Sequence, residues 1–218
     1  MRNKILLGIG ALFVVLVGVY SRDLIGLYYL VDTFLTTTKA YEREVGTWPQ
    51  IVDGCNGCHG AQGSSQHQRY PSLAGQPTAY VTAQLHGFAN GKRLYPTMGP
   101  LAMTLNEDEI KHVADYYARQ LPVENRWFVP DPSLRERGQK LVAAGACVAC
   151  HGENLMGQVT FPRLAGQGVE YLQAQLDAFA EGRRVDPSGS MNTIAAALSS
   201  DDRKALSHYL AAFAKPAK

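Results

Sequence analysis

Cysteine is scarce in this chain, with four in 218 residues. Four thiols staple little over that length, which excludes a disulfide-held secreted scaffold. Charge is sparse too. Charged residues make up 18% of the chain, and the formal net charge is +2. No tract of Lys and Arg forms the basic stripe that nucleic acid requires, so nucleic acid is excluded as a partner. Residues 1–40 hold four basic and two acidic side chains, which leaves 17 of each sign in 41–218. No window alternates apolar and polar residues for long, and β-branched runs are rare outside the N-terminus, so sheets are not expected. The carboxylates show no paired spacing beyond what helix caps explain, so acid–base catalysis has no candidate pair.

What is present begins with those same cysteines. All four are spent in two motifs, "CNGCH" at 55–59 and "CVACH" at 147–151. Thiolates suit structural zinc, and C-x-x-C alone suits a redox dithiol. Neither explains a histidine directly after the second cysteine in both copies. Covalent attachment of haem c does: each cysteine adds to a porphyrin vinyl group, and the histidine ligates the iron. Two haems c are therefore expected, held by Cys55, Cys58 and His59 and by Cys147, Cys150 and His151.

A haem iron has a second axial position, and methionine is its usual occupant in cytochromes c. Met98 lies 39 residues after His59 and Met191 lies 40 after His151, with Met103 and Met156 as competitors. An internal repeat separates them. "YPSLAGQPTAYVTAQLHGFANGKR" (70–93) aligns with "FPRLAGQGVEYLQAQLDAFAEGRR" (161–184), with 13 of 24 positions identical. The cysteine motifs are 92 apart, and "LNEDE" (105–109) matches "LSSDD" (198–202) at 93. In that frame Met98 falls on Met191, and Met103 falls on Ala196. Met156 is too close to His151 to cross a haem. Met98 and Met191 are the expected sixth ligands, and Met103 is expected in the core or at a haem edge, a place its flexible thioether fills well.

Within the repeat, Tyr80, Leu85 and Phe88, like Tyr171, Leu176 and Phe179, are spaced for one face of a helix. Gly91 and Gly182 read as C-terminal caps. Asn106 with Glu109, and Ser199 with Asp202, have capping-box spacing. Val113 and Tyr117, or Leu206 and Leu210, supply an apolar stripe. Each half is expected to be a small all-α domain. About 80–90 residues are marginal on a protein core alone, and a buried porphyrin would supply the missing apolar surface. The remaining histidines, His67, His86, His112 and His208, read as surface or half-buried residues.

The ordered set in both halves is C-x-x-C-H, "[YF]P-x-LAGQ", "Y-x3-QL-x2-F-x2-G-x-R", then Met and "L[NS]-x-[DE]". It resembles the dihaem cytochrome c4 family over roughly residues 50–214. The resemblance implies an all-α fold of two tandem class I cytochrome c domains related by a pseudo-two-fold, with electrons passing between adjacent haems. It also implies that the carbonyls of Pro71 and Pro162 accept the second N–H of the axial histidines, which fixes the rings. Two readings stand for Gln76, Tyr80, Arg93, Gln167, Tyr171 and Arg184: haem propionate contacts, or surface polarity and packing. The implied role is electron transfer between respiratory components rather than catalysis, with a cytochrome bc complex or a haem–copper terminal oxidase as partners. A dedicated subunit of a larger membrane complex is the alternative. An enzyme is the third reading; thiosulfate-oxidising relatives use a cysteine axial ligand, and no cysteine is spare here.

The front of the chain departs from the exported, soluble members. "ILLGIGALFVVLVGVY" (5–20) is uncharged and apolar, and Arg2 and Lys4 precede it. The positive-inside rule places the N-terminus in the cytoplasm. No A-x-A cleavage site follows, so an uncleaved single-pass anchor is expected in a bacterial inner membrane, with the haem domains in the periplasm. The divisions expected are an anchor and juxtamembrane segment (1–40), a first cytochrome domain (41–121), a linker (122–133) and a second domain (134–218). The linker's prolines stiffen it, Asp131 and Pro132 read as N-cap and first helical residue, and Trp127 and Phe128 are expected between the domains.

Overall fold

A computed structural model describes residues 2–45, 50–145 and 147–213. The last five residues assigned to the second domain, 214–218, lie outside them. The chain forms two compact units, Met1–Gln50 and Ile51–Lys218. The described residues are helical, with one isolated bridge between Gln158 and Phe161 and no strand.

The first unit is a single helix, α1, spanning Arg2–Val45. "LIGLYYLV" continues it without a break, because no proline or helix-breaking turn intervenes between residues 5 and 45. Forty-four residues rise about 66 Å, roughly twice a ~30 Å hydrocarbon core. Its 33-residue segment Gly8–Ala40 is long and apolar enough to cross a membrane. The hydroxyls of Thr36, Thr37 and Thr38 donate back to the carbonyls of Asp32, Thr33 and Phe34. Such back-bonding satisfies polar side chains inside a helix without help from water.

Both halves of the repeat lie in the second unit. In the first half, α2 (Asn56–His59) ends in the histidine, and α3 (Thr78–Ala89), α4 (Met98–Met103) and α5 (Glu107–Arg119) follow. In the second, α6 (Pro132–Ala144) precedes α7 (Cys147–His151), α8 (Val169–Ala180), α9 (Ser190–Ala197) and α10 (Ser200–Ala211). The local signals hold. Asn106 and Glu109 form a complete capping box on α5, and the Ser199 hydroxyl accepts from the Asp202 N–H on α10. Asp131 caps α6 through Ser133 and Leu134, with Pro132 in the first turn. Gly91 and Gly182 follow α3 and α8 with φ of 72° and 70°.

One helix lacks a counterpart. α6 packs along α10 in the second half, but a shift of 92 places its equivalents at about 40–52, divided between the end of α1, undescribed residues and a 3-10 turn at Ile51–Cys55. At the α6–α10 crossing, a Cβ on Gly138 would stand 2.2 Å from the Ala205 carbonyl oxygen. The helices touch backbone to backbone there. Gly138→Ala is expected to destabilise the second half by about 2 kcal/mol, because neither helix can move apart without emptying the core. Denaturant unfolding of the haem-loaded protein measures this.

One expectation changes and another narrows. Trp127 is 63% exposed, and only Phe128 is packed, onto the second-half core and edge-on to His208. The linker lays one aromatic ring inward and turns the next outward. Met103, at the end of the short helix α4, is 70% exposed and so is not a protein-core residue, which leaves the haem edge of the two places expected for it. Met156, by contrast, packs against the second-half core.

Candidate functional site

Each C-x-x-C-H motif folds as a short helix whose last residue is the histidine. Both rings are buried, at 7% and 6% exposure. The Nδ1 of His59 lies 2.8 Å from the Pro71 carbonyl oxygen, and that of His151 lies 2.9 Å from the Pro162 carbonyl. With Nδ1–H donating, Nε2 carries the lone pair. Burial pushes both imidazoles below their ordinary pKa, more strongly than the proline carbonyls pull them up. They are thus neutral, fixed in tautomer and ready to ligate a metal.

The thiols fit attachment better than either alternative. All four cysteines are free. Burial raises the pKa of Cys55 and Cys147, the opposite of what a reactive dithiol needs. No three His, Cys, Asp or Glu side chains cluster as metal ligands among the described residues, so the two cysteine pairs do not combine into a zinc site. Among the described residues the buried Asn56 Oδ1 lacks a partner, and the buried Tyr117 Oη meets the Cys55 thiol. Both belong to the surroundings of Cys55, where Tyr117's phenol, raised in pKa by burial, faces the thiol.

Met98 opens α4, and Met191 is the second residue of α9; both are half-buried. The second loop is held by Asn192, whose amide donates to the carbonyls of Phe179 and Arg184 at 2.9 and 2.7 Å. Its Oδ1 accepts from the Asp186 N–H at 2.9 Å.

The other six candidates come together between the halves. Gln76 pairs with the backbone of Arg163, donating to its carbonyl at 3.0 Å and accepting from its N–H at 2.9 Å. Gln167 does the same to Ser72, at 2.7 and 2.8 Å. Arg93 donates to Gln84, Tyr171 and Gln175, and Arg184 donates to Gln175, Tyr80 and Gln84. Each guanidinium also stacks on its own half's ring, Phe88 at 4.6 Å or Phe179 at 4.5 Å. An isologous interface makes residue i meet the copy of residue j while j meets the copy of i, so both halves must keep the same residues there. That is why the repeat is most alike in this block. Burial would raise both phenols. Arg93 and Arg184, close to both hydroxyls, act against that rise at each.

The sequence reading missed several of these contacts. Gln84 and Gln175 stand identical in the quoted repeat, so their signal was present. Gln68 had none: its amide pairs with Asn125 at 3.0 and 2.9 Å, and its carbonyl accepts from the Tyr171 N–H at 2.8 Å. A Cβ on Gly168 would meet that carbonyl oxygen at 2.3 Å, which explains glycine where the first half has Pro77.

The comparisons agree with this geometry. A cytochrome c family profile matches residues 135–213, and that of the cbb3-type cytochrome c oxidase subunit III matches 50–116. Fold and site therefore define a c-type cytochrome with two tandem domains and two covalently bound haems c. Cytochrome c4 of Pseudomonas aeruginosa is 35% identical over 72% of this chain and 82% of that protein. The thiosulfate dehydrogenase electron acceptor of Thiomonas intermedia is 33% identical over 75% of this chain and 80% of that protein. Reduced cytochrome c4 from Pseudomonas stutzeri superposes with a TM-score of 0.70 at 31% identity, covering 75% of this chain and 95% of that one. The chain belongs to the cytochrome c4 family.

Proposed function

We propose that this chain is a membrane-anchored carrier that passes electrons between respiratory components on the periplasmic side. Haem c supplies a reversible one-electron ferric/ferrous couple. Cys55 and Cys58, and Cys147 and Cys150, hold the porphyrins. His59 and Met98 would ligate the iron of the first haem, and His151 and Met191 that of the second. The observation that carries this reading is the pair of His–Pro units, 2.8 and 2.9 Å, on loops that one interface clamps together. Fixed rings and a fixed separation limit reorganisation when charge moves. Arg93 and Arg184 bring positive charge to the same interface and suit the propionate carboxylates. A cytochrome bc complex as donor and a haem–copper oxidase as acceptor fit this role.

A second reading concerns the donor. Relatives named as thiosulfate dehydrogenase electron acceptors match over most of the chain, and 78% of this chain superposes on 39% of a thiosulfate dehydrogenase chain from Marichromatium purpuratum, with a TM-score of 0.67 at 34% identity. In that case the electrons arrive from a thiosulfate-oxidising enzyme, and this chain accepts them without binding thiosulfate. Mixing the purified chain with such an enzyme and thiosulfate would reduce both haems; thiosulfate alone would reduce neither.

The anchor rests on Gly8–Ala40 and on Arg2 and Lys4 before it. The protein is expected in the membrane fraction after a high-salt wash, released by detergent, with an intact mass that includes residues 1–20. A mature chain starting between residues 18 and 45 would contradict this.

A further inference from the structure

Arg163 is the largest fully buried side chain among the described residues, 2% exposed. Its guanidinium meets only carbonyl oxygens. Nε donates to Ala74 at 3.0 Å, Nη2 to Ser72 at 3.2 Å, and Nη1 to Ala165. No carboxylate is paired with it among the described residues. Burial without a counter-charge pulls its pKa down to about 10, so it remains a cation at neutral pH.

Its position in the repeat is occupied by Ser72 in the first half. The glutamine contacts around it are reciprocal: Gln76 grips the Arg163 backbone as Gln167 grips that of Ser72. The charge alone is one-sided. It originates in the second half, yet two of its three acceptors belong to the first. Those acceptors lie one and three residues after Pro71, whose carbonyl holds the His59 ring at 2.8 Å. A cation bonded to the Ser72 carbonyl stands one peptide beyond the Pro71 carbonyl and attracts the negative charge on its oxygen through space. The Pro71 oxygen then accepts less strongly from Nδ1–H, and the imidazole donates less to a metal at Nε2. Through-space repulsion acts in the same direction, because ferric iron carries one more positive charge than ferrous.

We propose that Arg163 is a positioning residue acting in trans, a buried charge in one cytochrome half that raises the reduction potential of the haem in the other. This deepens the electron-carrier reading and rests on it. Ser72, being neutral, returns no equivalent field, so the interface that joins two similar pockets also makes them unequal.

The test is a redox titration of the haem-loaded full chain in detergent, for wild type, Arg163→Gln and Arg163→Lys. Each is repeated in a Met98→His background, which displaces the first-haem step and so identifies it. Arg163→Gln keeps two donors for the carbonyls without the charge, and it is expected to weaken electron binding at the first haem on the order of tenfold. The second haem should change less. Arg163→Lys keeps the charge and should stay within about threefold of wild type. Equal shifts at both haems, equal behaviour of the Gln and Lys variants, or no shift with unaltered spectra would overturn the proposal. If the Gln variant fails to load haem, the Lys variant decides, since a first-haem potential lowered as far as tenfold would show that packing and not charge is at work. Failure of the underlying reading looks different: wild type itself would lack two reversible one-electron steps.

Discussion

Met98→Ala and Met191→Ala are each expected to abolish about half of the charge-transfer absorption that ferric iron shows when methionine sulfur is its sixth ligand. They should do so without releasing haem, because the thioether links and the histidines remain. Each variant should leave one iron open on one side, so that carbon monoxide binds about one haem in two after reduction; wild type should bind none. The contrast with Met103 is the informative one. Met103 lies at the far end of the α4 turn that Met98 opens and aligns with Ala196 in the second half, so Met103→Ala should leave the band in place. Loss of the band in the Met103 variant, with its retention in Met98→Ala, would reverse the assignment. Loss of thioether ligation should also lower the potential of the affected haem.

Gly63→Leu is expected to destabilise the protein by upwards of about 3 kcal/mol, and Tyr117→Leu in the same chain should recover much of that. The argument is a volume exchange between the halves. Gly63 corresponds to Leu155, and Tyr117 to Leu210. In both halves the residue after the C-x-x-C-H loop accepts the next loop's N–H groups, Leu73 and Ala74 onto Gly63, Leu164 and Ala165 onto Leu155. Both sit at positive φ, 78° and 58°. A Cβ on Gly63 would meet Tyr117 Cδ1 at 2.7 Å. In the second half the smaller Leu210 leaves room for Leu155, which is 1% exposed and tolerates the left-handed backbone because it fills the core. A leucine introduced at 63 thus meets strain, a ring and the Ala74 backbone nitrogen, 2.8 Å from its Cβ; removing the ring leaves the strain, of order 1 kcal/mol or more, and the backbone contact, so the recovery is incomplete. Thermal or denaturant unfolding of the two single variants and the double variant gives the coupling directly. Additive losses in the double variant would refute the exchange.

The pair also shows what a repeat conceals. Read alone, Gly63 against Leu155 is a mismatch, and Tyr117 against Leu210 is another, 54 and 55 residues later in their halves. Nothing in a one-dimensional alignment says that the two mismatches cancel. The same holds for Gly168 and Gln68, where one half's glycine makes room for the other's backbone.

The sequence by itself determined what rests on local chemistry. C-x-x-C-H specifies covalent haem because two thiols spaced for the porphyrin vinyl groups and a histidine for the iron fall within five residues. Asp131, Asn106 and Ser199 start helices because a side-chain oxygen satisfies N–H groups two or three residues on. The apolar run from Ile5 specifies a long helix because backbone polar groups in so apolar a stretch must pair within it. Only the tertiary structure decided which residues meet across the halves. Gln76, Tyr80 and Arg93 announce themselves as repeated polar residues, but whether they face water, a propionate or each other depends on how two surfaces approach. Packing those surfaces puts six repeated side chains onto one another's copies, leaves Trp127 outside, and buries Arg163 against carbonyls more than 85 residues away along the chain. Such contacts have no local signature, because their energy comes from groups that the sequence keeps far apart.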